Sequence, residues 1–199
     1  MPTKKCITVY KFDELSDEAK EKAREWWREG GLDYEWYDCV ESDFKEIGKI
    51  LGIDVTKIFF TGFSSQGDGA CFEGYYEYAK GSVKKLKEYA PQDTELHRIA
   101  EELAKAQKRF FYGIDAVISH EGHYYHEMCT KILVRHSNGE YIDNETDEIF
   151  TELLRDLMKW LYRTLAREYD YLNSDEQVDE TIMANEYEFT EDGNRSVVT

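Results

Sequence analysis

The sequence predicts an α+β fold, with an antiparallel β-sheet of hairpins packed against several α-helices and one long helix towards the C-terminus. Three observations predict it. Two pairs of β-rich runs read as hairpins, at residues 57–63 with 70–78 and at 110–119 with 129–136. Between and around them, apolar residues recur at helical spacing. The longest such pattern, residues 143–172, comes late in the chain. With two prolines, no internal repeat and no low-complexity linker, the expectation is one domain over residues 1–190, followed by a polar tail at 191–199.

The elements follow in order. Residues 6–12 alternate and read as a strand. Ser16 suits an N-cap, with Asp17 and Glu18 in the first turn of a helix whose Ala19, Ala23, Trp26 and Trp27 recur up to Gly30 and Gly31. A second helix is expected over 34–51, with Trp36, Val40, Phe44, Ile47 and Leu51 on one stripe, ended by Gly52. Residues 84–89 suit a single helical turn. Pro91, Asp93 and Thr94 open a helix with Leu96, Ile99, Ala100, Leu103 and Ala106 on its apolar face. Asn138-Gly139 is a turn dipeptide. Within 143–172, Ile149, Leu153, Leu157, Trp160, Leu161 and Leu165 repeat at near-heptad spacing, which suits either a homodimer seam or the main core helix. Ser174 caps a short helix ending at Asn185, and residues 187–189 form a last strand.

Composition narrows the function classes. The net charge is −17, from 42 acidic against 25 basic residues, and a surface that negative repels phosphate backbones. Direct nucleic-acid binding is therefore not expected, and a basic protein partner is an option. Cys6, Cys39, Cys71 and Cys129 are scattered without a Cys-x-x-Cys pair, which fits a reducing compartment rather than a disulfide framework or zinc site. No apolar h-region follows the first residues and no apolar run reaches the ~20 residues that span a bilayer. The expected setting is soluble, intracellular and away from membranes.

The most polar turn is the first candidate site. Between the first two hairpin arms, Ser64, Ser65, Gln66 and Asp68 can hydrogen-bond a polar ligand, Gly67 and Gly69 allow close backbone approach, and Phe63 and Phe72 can stack. No Gly-Lys-Ser/Thr and no following helix is present, so this is neither a phosphate loop nor a dinucleotide fingerprint. An uncharged, amide-rich loop suits a base, a sugar or a peptide backbone. The same residues also suit an Asx-type turn with a glycine bulge, in which Ser and Asp cap their own backbone. The second candidate is His120, His123 and His126, interleaved with Tyr124 and Tyr125. Imidazoles there could contact a ligand, but no accompanying Cys or carboxylate makes a metal spacing. Trp26-Trp27 reads as core. Asp33, Tyr34, Glu35 and Trp36 could form a pocket rim. No nucleophile–base pairing stands out, so no catalytic residue and no cofactor is expected, and binding is preferred over catalysis.

Residues 10–20, 60–70, 122–126, 168–172 and 184–189, and above all Gly62-Phe63-Ser64-Ser65-Gln66-Gly67-Asp68-Gly69-Ala70, resemble a widespread family of small bacteriophage and prophage proteins labelled antitoxins of toxin–antitoxin stability systems. The resemblance implies a phage accessory protein in the host cytoplasm that counters a host defence. Two mechanisms fit that setting: sequestering a small polar ligand such as a nucleotide immune signal, or presenting an acidic, antitoxin-like or DNA-mimicking surface to a host or toxin protein. A hydrolase using the His cluster comes third.

Overall fold

The structure is a computed structural model that describes residues 8–139 and 142–196. In chain order its elements are β1 (Tyr10–Lys11), α1 (Asp17–Gly30), α2 (Asp38–Leu51), β2 (Ile53–Phe60), β3 (Ala70–Tyr76), α3 (Ser82–Tyr89), α4 (Thr94–Arg109), β4 (Ile114–His120), β5 (Thr130–His136), α5 (Asn144–Leu172), α6 (Asp175–Ala184) and β6 (Glu188–Phe189). Short 3-10 turns occupy Phe12–Glu14 and Glu127–Cys129. The fold is α+β, as expected, and α5 is its long C-terminal helix. The chain forms two compact units, one of residues 37–166 and one joining residues 1–36 to 167–199.

In the unit of residues 37–166, β2 to β5 form an antiparallel sheet in sequential order, built from two hairpins. Alternation decides which face is buried. Phe72 and Tyr76 of β3 and Ile114, Ala116 and Ile118 of β4 are buried, whereas Val117 and Leu133, paired across β4 and β5, are exposed. Helices supply the cover: Phe44 of α2 meets Phe72 with ring centroids 5.3 Å apart, and Phe150 of α5 meets Tyr76 at 5.9 Å. The α5 stripe of Phe150, Leu153, Leu154, Leu157, Met158, Leu161 and Leu165 is buried within the fold, so it serves as core helix and is not left over for a dimer seam.

One buried polar side chain sets where β4 starts. Gln107 Nε2 donates to the Ile114 carbonyl at 2.6 Å and to the Tyr76 hydroxyl at 3.2 Å, while its Oε1 accepts from Ile114 N at 3.2 Å. Phe111 and Tyr112 adopt positive φ (51° and 65°) ahead of it. Residues 110–113 are thus a turn and not the start of a strand. The second helix also begins later than its periodicity predicts, at Asp38, because Tyr34 and Trp36 lie in a turn closed by Trp36 N to Tyr34 O at 2.7 Å. β2 spans 53–60 rather than 57–63, directly after Gly52 ends α2.

The other unit packs α1 against α6 over a core of Phe12, Leu15, Ala19, Ala23, Trp27, Val178, Ile182 and Phe189. The expected caps are present: Ser16 Oγ accepts from Ala19 N and Ser174 Oγ from Gln177 N. Arg24 ties the helices together with a bidentate pair to Asp179, at 2.7 and 2.8 Å. β1 pairs antiparallel with β6. Cys6 and the first residues of the expected N-terminal strand lie outside the described residues, as do 197–199 of the tail. The tail up to Ser196 is hydrogen-bonded, with Thr190 N donating to Asn194 O and Ser196 N to Glu188 O, both at 2.9 Å.

Candidate functional site

Sheet topology brings the two candidate loops together. β2 ends and β3 begins at the edge of the sheet where β4 ends and β5 begins, so the loop of residues 61–69 and the loop of residues 121–129 share one end. Their contact is intimate. A Cβ added at Gly69 would collide with His126 Cβ and backbone, so only glycine permits this approach. At Gly67, φ is +98° and a Cβ would sit 3.6 Å from the Tyr124 ring.

The first loop is organised by Asp68. Its Oδ2 accepts from Ser64 N at 3.0 Å and Ser65 N at 2.7 Å, and Asp68 N donates to Ser65 O at 3.1 Å. Thr61 closes the base, donating from N to Gly69 O at 3.0 Å and accepting from Gly69 N on Oγ1 at 3.2 Å. The self-capped turn is therefore realised and Asp68 holds the loop. With its carboxylate engaged in this way, the tip is free to present Ser64, Ser65 and Gln66, which are exposed and whose side chains make no hydrogen bond among the described residues. Phe63 stacks on Tyr162 of α5 at 5.6 Å, and the Tyr162 hydroxyl donates to Gly62 O at 3.3 Å. Burial, and behind it the Asp68 carboxylate, raises the Tyr162 phenol above its ordinary value.

The second loop is built on rings. His120 lies 4.9 Å from Phe59 and 5.2 Å from Tyr125, and Tyr125 stacks on Phe59 at 5.3 Å. The Lys57 ammonium sits 4.4 Å above the Phe59 ring. Glu73 Oε1 accepts from His120 N at 3.1 Å, and the His120 ring bonds Tyr124 O through Nε2 at 3.0 Å. His123 is exposed, edge-on to Tyr124 at 5.5 Å, and Tyr124 is 57% exposed. His126 Nδ1 accepts from Met128 N at 3.1 Å, which places the ring proton on Nε2, 3.6 Å from Cys129 Sγ. That tautomer donates towards the sulfur and cannot act as its base. Cys71, close by, is buried, and desolvation pushes its thiol up to about 12. Among the described residues no group of three His, Cys, Asp or Glu could hold a metal ion.

One expected site residue is placed in the core. Phe72 is fully buried against Phe44, so it is a core ring and cannot stack on a ligand. The Trp36 ring lies 5.7 Å from that of Tyr169, within the unit of residues 1–36 and 167–199. Sequence reasoning missed Phe59, Lys57 and Tyr162. The period-2 alternation of β2 could have flagged the first two, whereas Tyr162 reaches the loop only through tertiary packing.

The chain belongs to the family described as a domain of unknown function, DUF8835. Its family model matches residues 36–175, a span that contains both loops, the sheet and Tyr162. No curated protein and no solved structure matches the chain. Among the described residues of this DUF8835 member, no helix is long and apolar enough to cross a membrane.

Proposed function

We propose that this protein is a non-enzymatic binder that sequesters a small polar ligand of the nucleotide type at the joined loops. The observation that carries this reading is the convergence itself. Exposed Ser64, Ser65 and Gln66, with hydrogen-bonding capacity to spare, stand beside the half-exposed Tyr124 ring and His123. Amide and hydroxyl groups suit a base or sugar edge, rings suit a base face, and His with Lys57 suits phosphate. With Nδ1 taken by Met128 N, His126 supplies no base for the Cys129 thiol. In the setting that the family resemblance implies, the ligand is an immune signal and the protein a phage accessory factor acting in the host cytoplasm. A second reading, an acidic antitoxin-like or DNA-mimicking inhibitor of a protein, draws on the net charge of −17.

A thermal-shift panel of linear and cyclic nucleotides tests the first reading. A ligand at 100 times its Kd adds about 2.7 kcal/mol of stability. The double variant Ser65→Ala with Gln66→Ala should keep the unliganded Tm and lose the ligand-induced shift. A panel without any shift, or a variant that shifts as the parent does, overturns it. Reversal of helical acidic residues abolishing partner binding while the loop variant stays active would favour the second reading.

A further inference from the structure

The unit joining residues 1–36 to 167–199 contains a cleft of about 460 Å³, within the size range of small-molecule sites. Trp26, Tyr34 and Tyr187 give it aromatic walls, and Asp33, Thr181 and Asn185 give it polar edges. We infer that this cleft binds an alkylammonium cation, and four observations on its chemistry carry the inference.

First, Asp33 is the one charged residue lining the cleft, and its carboxylate makes no hydrogen bond or ion pair among the described residues. Second, the hydrogen bonds made by Thr181 and Asn185 leave acceptors on the polar edge. Thr181 Oγ1 donates to Gln177 O at 2.8 Å and Asn185 Nδ2 donates to Thr181 O at 2.8 Å. The Asn185 Oδ1 and the Thr181 oxygen are left as acceptors, so the polar edge is complementary to a donor or a positive charge. Third, the cleft lies at the C-terminal ends of two helices. Gly30 and Gly31 end α1, and Asn185 caps the end of α6, so the negative ends of both helix dipoles meet there. Arg28 near the end of α1 is already engaged by Asp175 and Glu21, and α6 has no basic residue in its last turn.

Fourth, Trp26 and Tyr187 already hold one cation, and Tyr34, 54% exposed, is the cleft ring that carries none among the described residues. The Arg195 guanidinium lies 4.7 Å from the Tyr187 ring centre and 5.6 Å from that of Trp26, outside the cleft lining. Faces of Trp and Tyr attract cations through the ring quadrupole, most strongly once the cation is desolvated. The cleft's shape is also imposed by sequence: a Cβ at Gly31 would collide with the Trp27 indole, so this residue is small where the backbone turns over the ring. An anion would face the Asp33 carboxylate and two helix C-termini.

The test uses the full chain and two probes of matched shape, choline and its neutral isostere 3,3-dimethylbutan-1-ol, followed by the NMR shift of the Trp26 indole N–H. Choline should bind saturably, and the isostere at least about tenfold more weakly, in line with a cation–π and charge contribution of 1–2 kcal/mol. Asp33→Asn and Tyr34→Ala, both at exposed positions and so compatible with an unchanged Tm, should each weaken choline binding by about threefold or more. The Ser65→Ala with Gln66→Ala variant should leave it unchanged, which separates this site from the loop site. Equal binding of the isostere, absence of a saturable shift with choline, or indifference to Asp33→Asn overturns the inference.

Discussion

Gln107 is a single side chain on which a strand depends. It closes three hydrogen bonds that would otherwise leave Ile114 N, Ile114 O and the Tyr76 hydroxyl buried without partners. Gln107→Leu should therefore cost about 2–3 kcal/mol, read as a lower urea midpoint at unchanged m-value. Gly69→Ala should disturb both loops together, because the added methyl meets His126; loss of loop chemical shifts confined to residues 61–69 would argue against that coupling. Tyr76 and Cys71 make the fold sensitive to alkali. Burial pushes both groups up to about 12, from ordinary values of 10 and 9, so the folded state holds these protons more tightly than the unfolded chain. The stabilisation is complete below pH 9 and drains away as the pH rises from 9 to 12. Urea midpoints measured across that range should fall, and less steeply in Tyr76→Phe. None of these roles was legible in the sequence, where Gln107 is one polar residue at the end of an amphipathic helix.

At the level of elements, the helix starts that carry a side-chain cap were legible, as were the starts of β3 and β5, whereas those of α2 and β4 were not. Ser16, Asp93 and Ser174 were readable as caps because their chemistry is local. The starts of α2 and β4 were misplaced because they are decided by a turn at Tyr34 and by positive φ at Phe111 and Tyr112, which neither periodicity nor propensity encodes. Asp93 does more than its local pattern indicates. Oδ1 caps α4 at Leu96 N, and Oδ2 accepts from Trp160 Nε1 of α5 at 2.7 Å. Asp93→Ala should cost about 2–3 kcal/mol, a cap of ~1 plus an orphaned indole donor. Asp93→Asn should recover part of it, and a loss no larger than that of a simple cap in chemical denaturation would show that the Trp160 bond contributes nothing.

For the whole molecule, the loops of residues 61–69 and 121–129 were each legible as unusual, but their union was not. It follows from the pairing of β3 with β4, a register that depends on the complete sheet rather than on either segment. The turn chemistry of Asp68 was legible as one of two alternatives, and the structure shows that it anchors the loop and leaves Ser64, Ser65 and Gln66 outward. Charge acts at this scale too. With a net charge of −17, an anionic ligand approaches against the mean field, so its association should quicken as salt rises, the reverse of a basic nucleic-acid binder.

The most direct test of the central claim is to expose the purified chain to infected-cell extract, recover it, denature it by heat and identify the released small molecules by mass spectrometry. The account predicts that one nucleotide-type compound is released chemically unchanged from the parent and not from the Ser65→Ala with Gln66→Ala variant. Release of a converted product, equal release from the variant, or no enriched compound would contradict it.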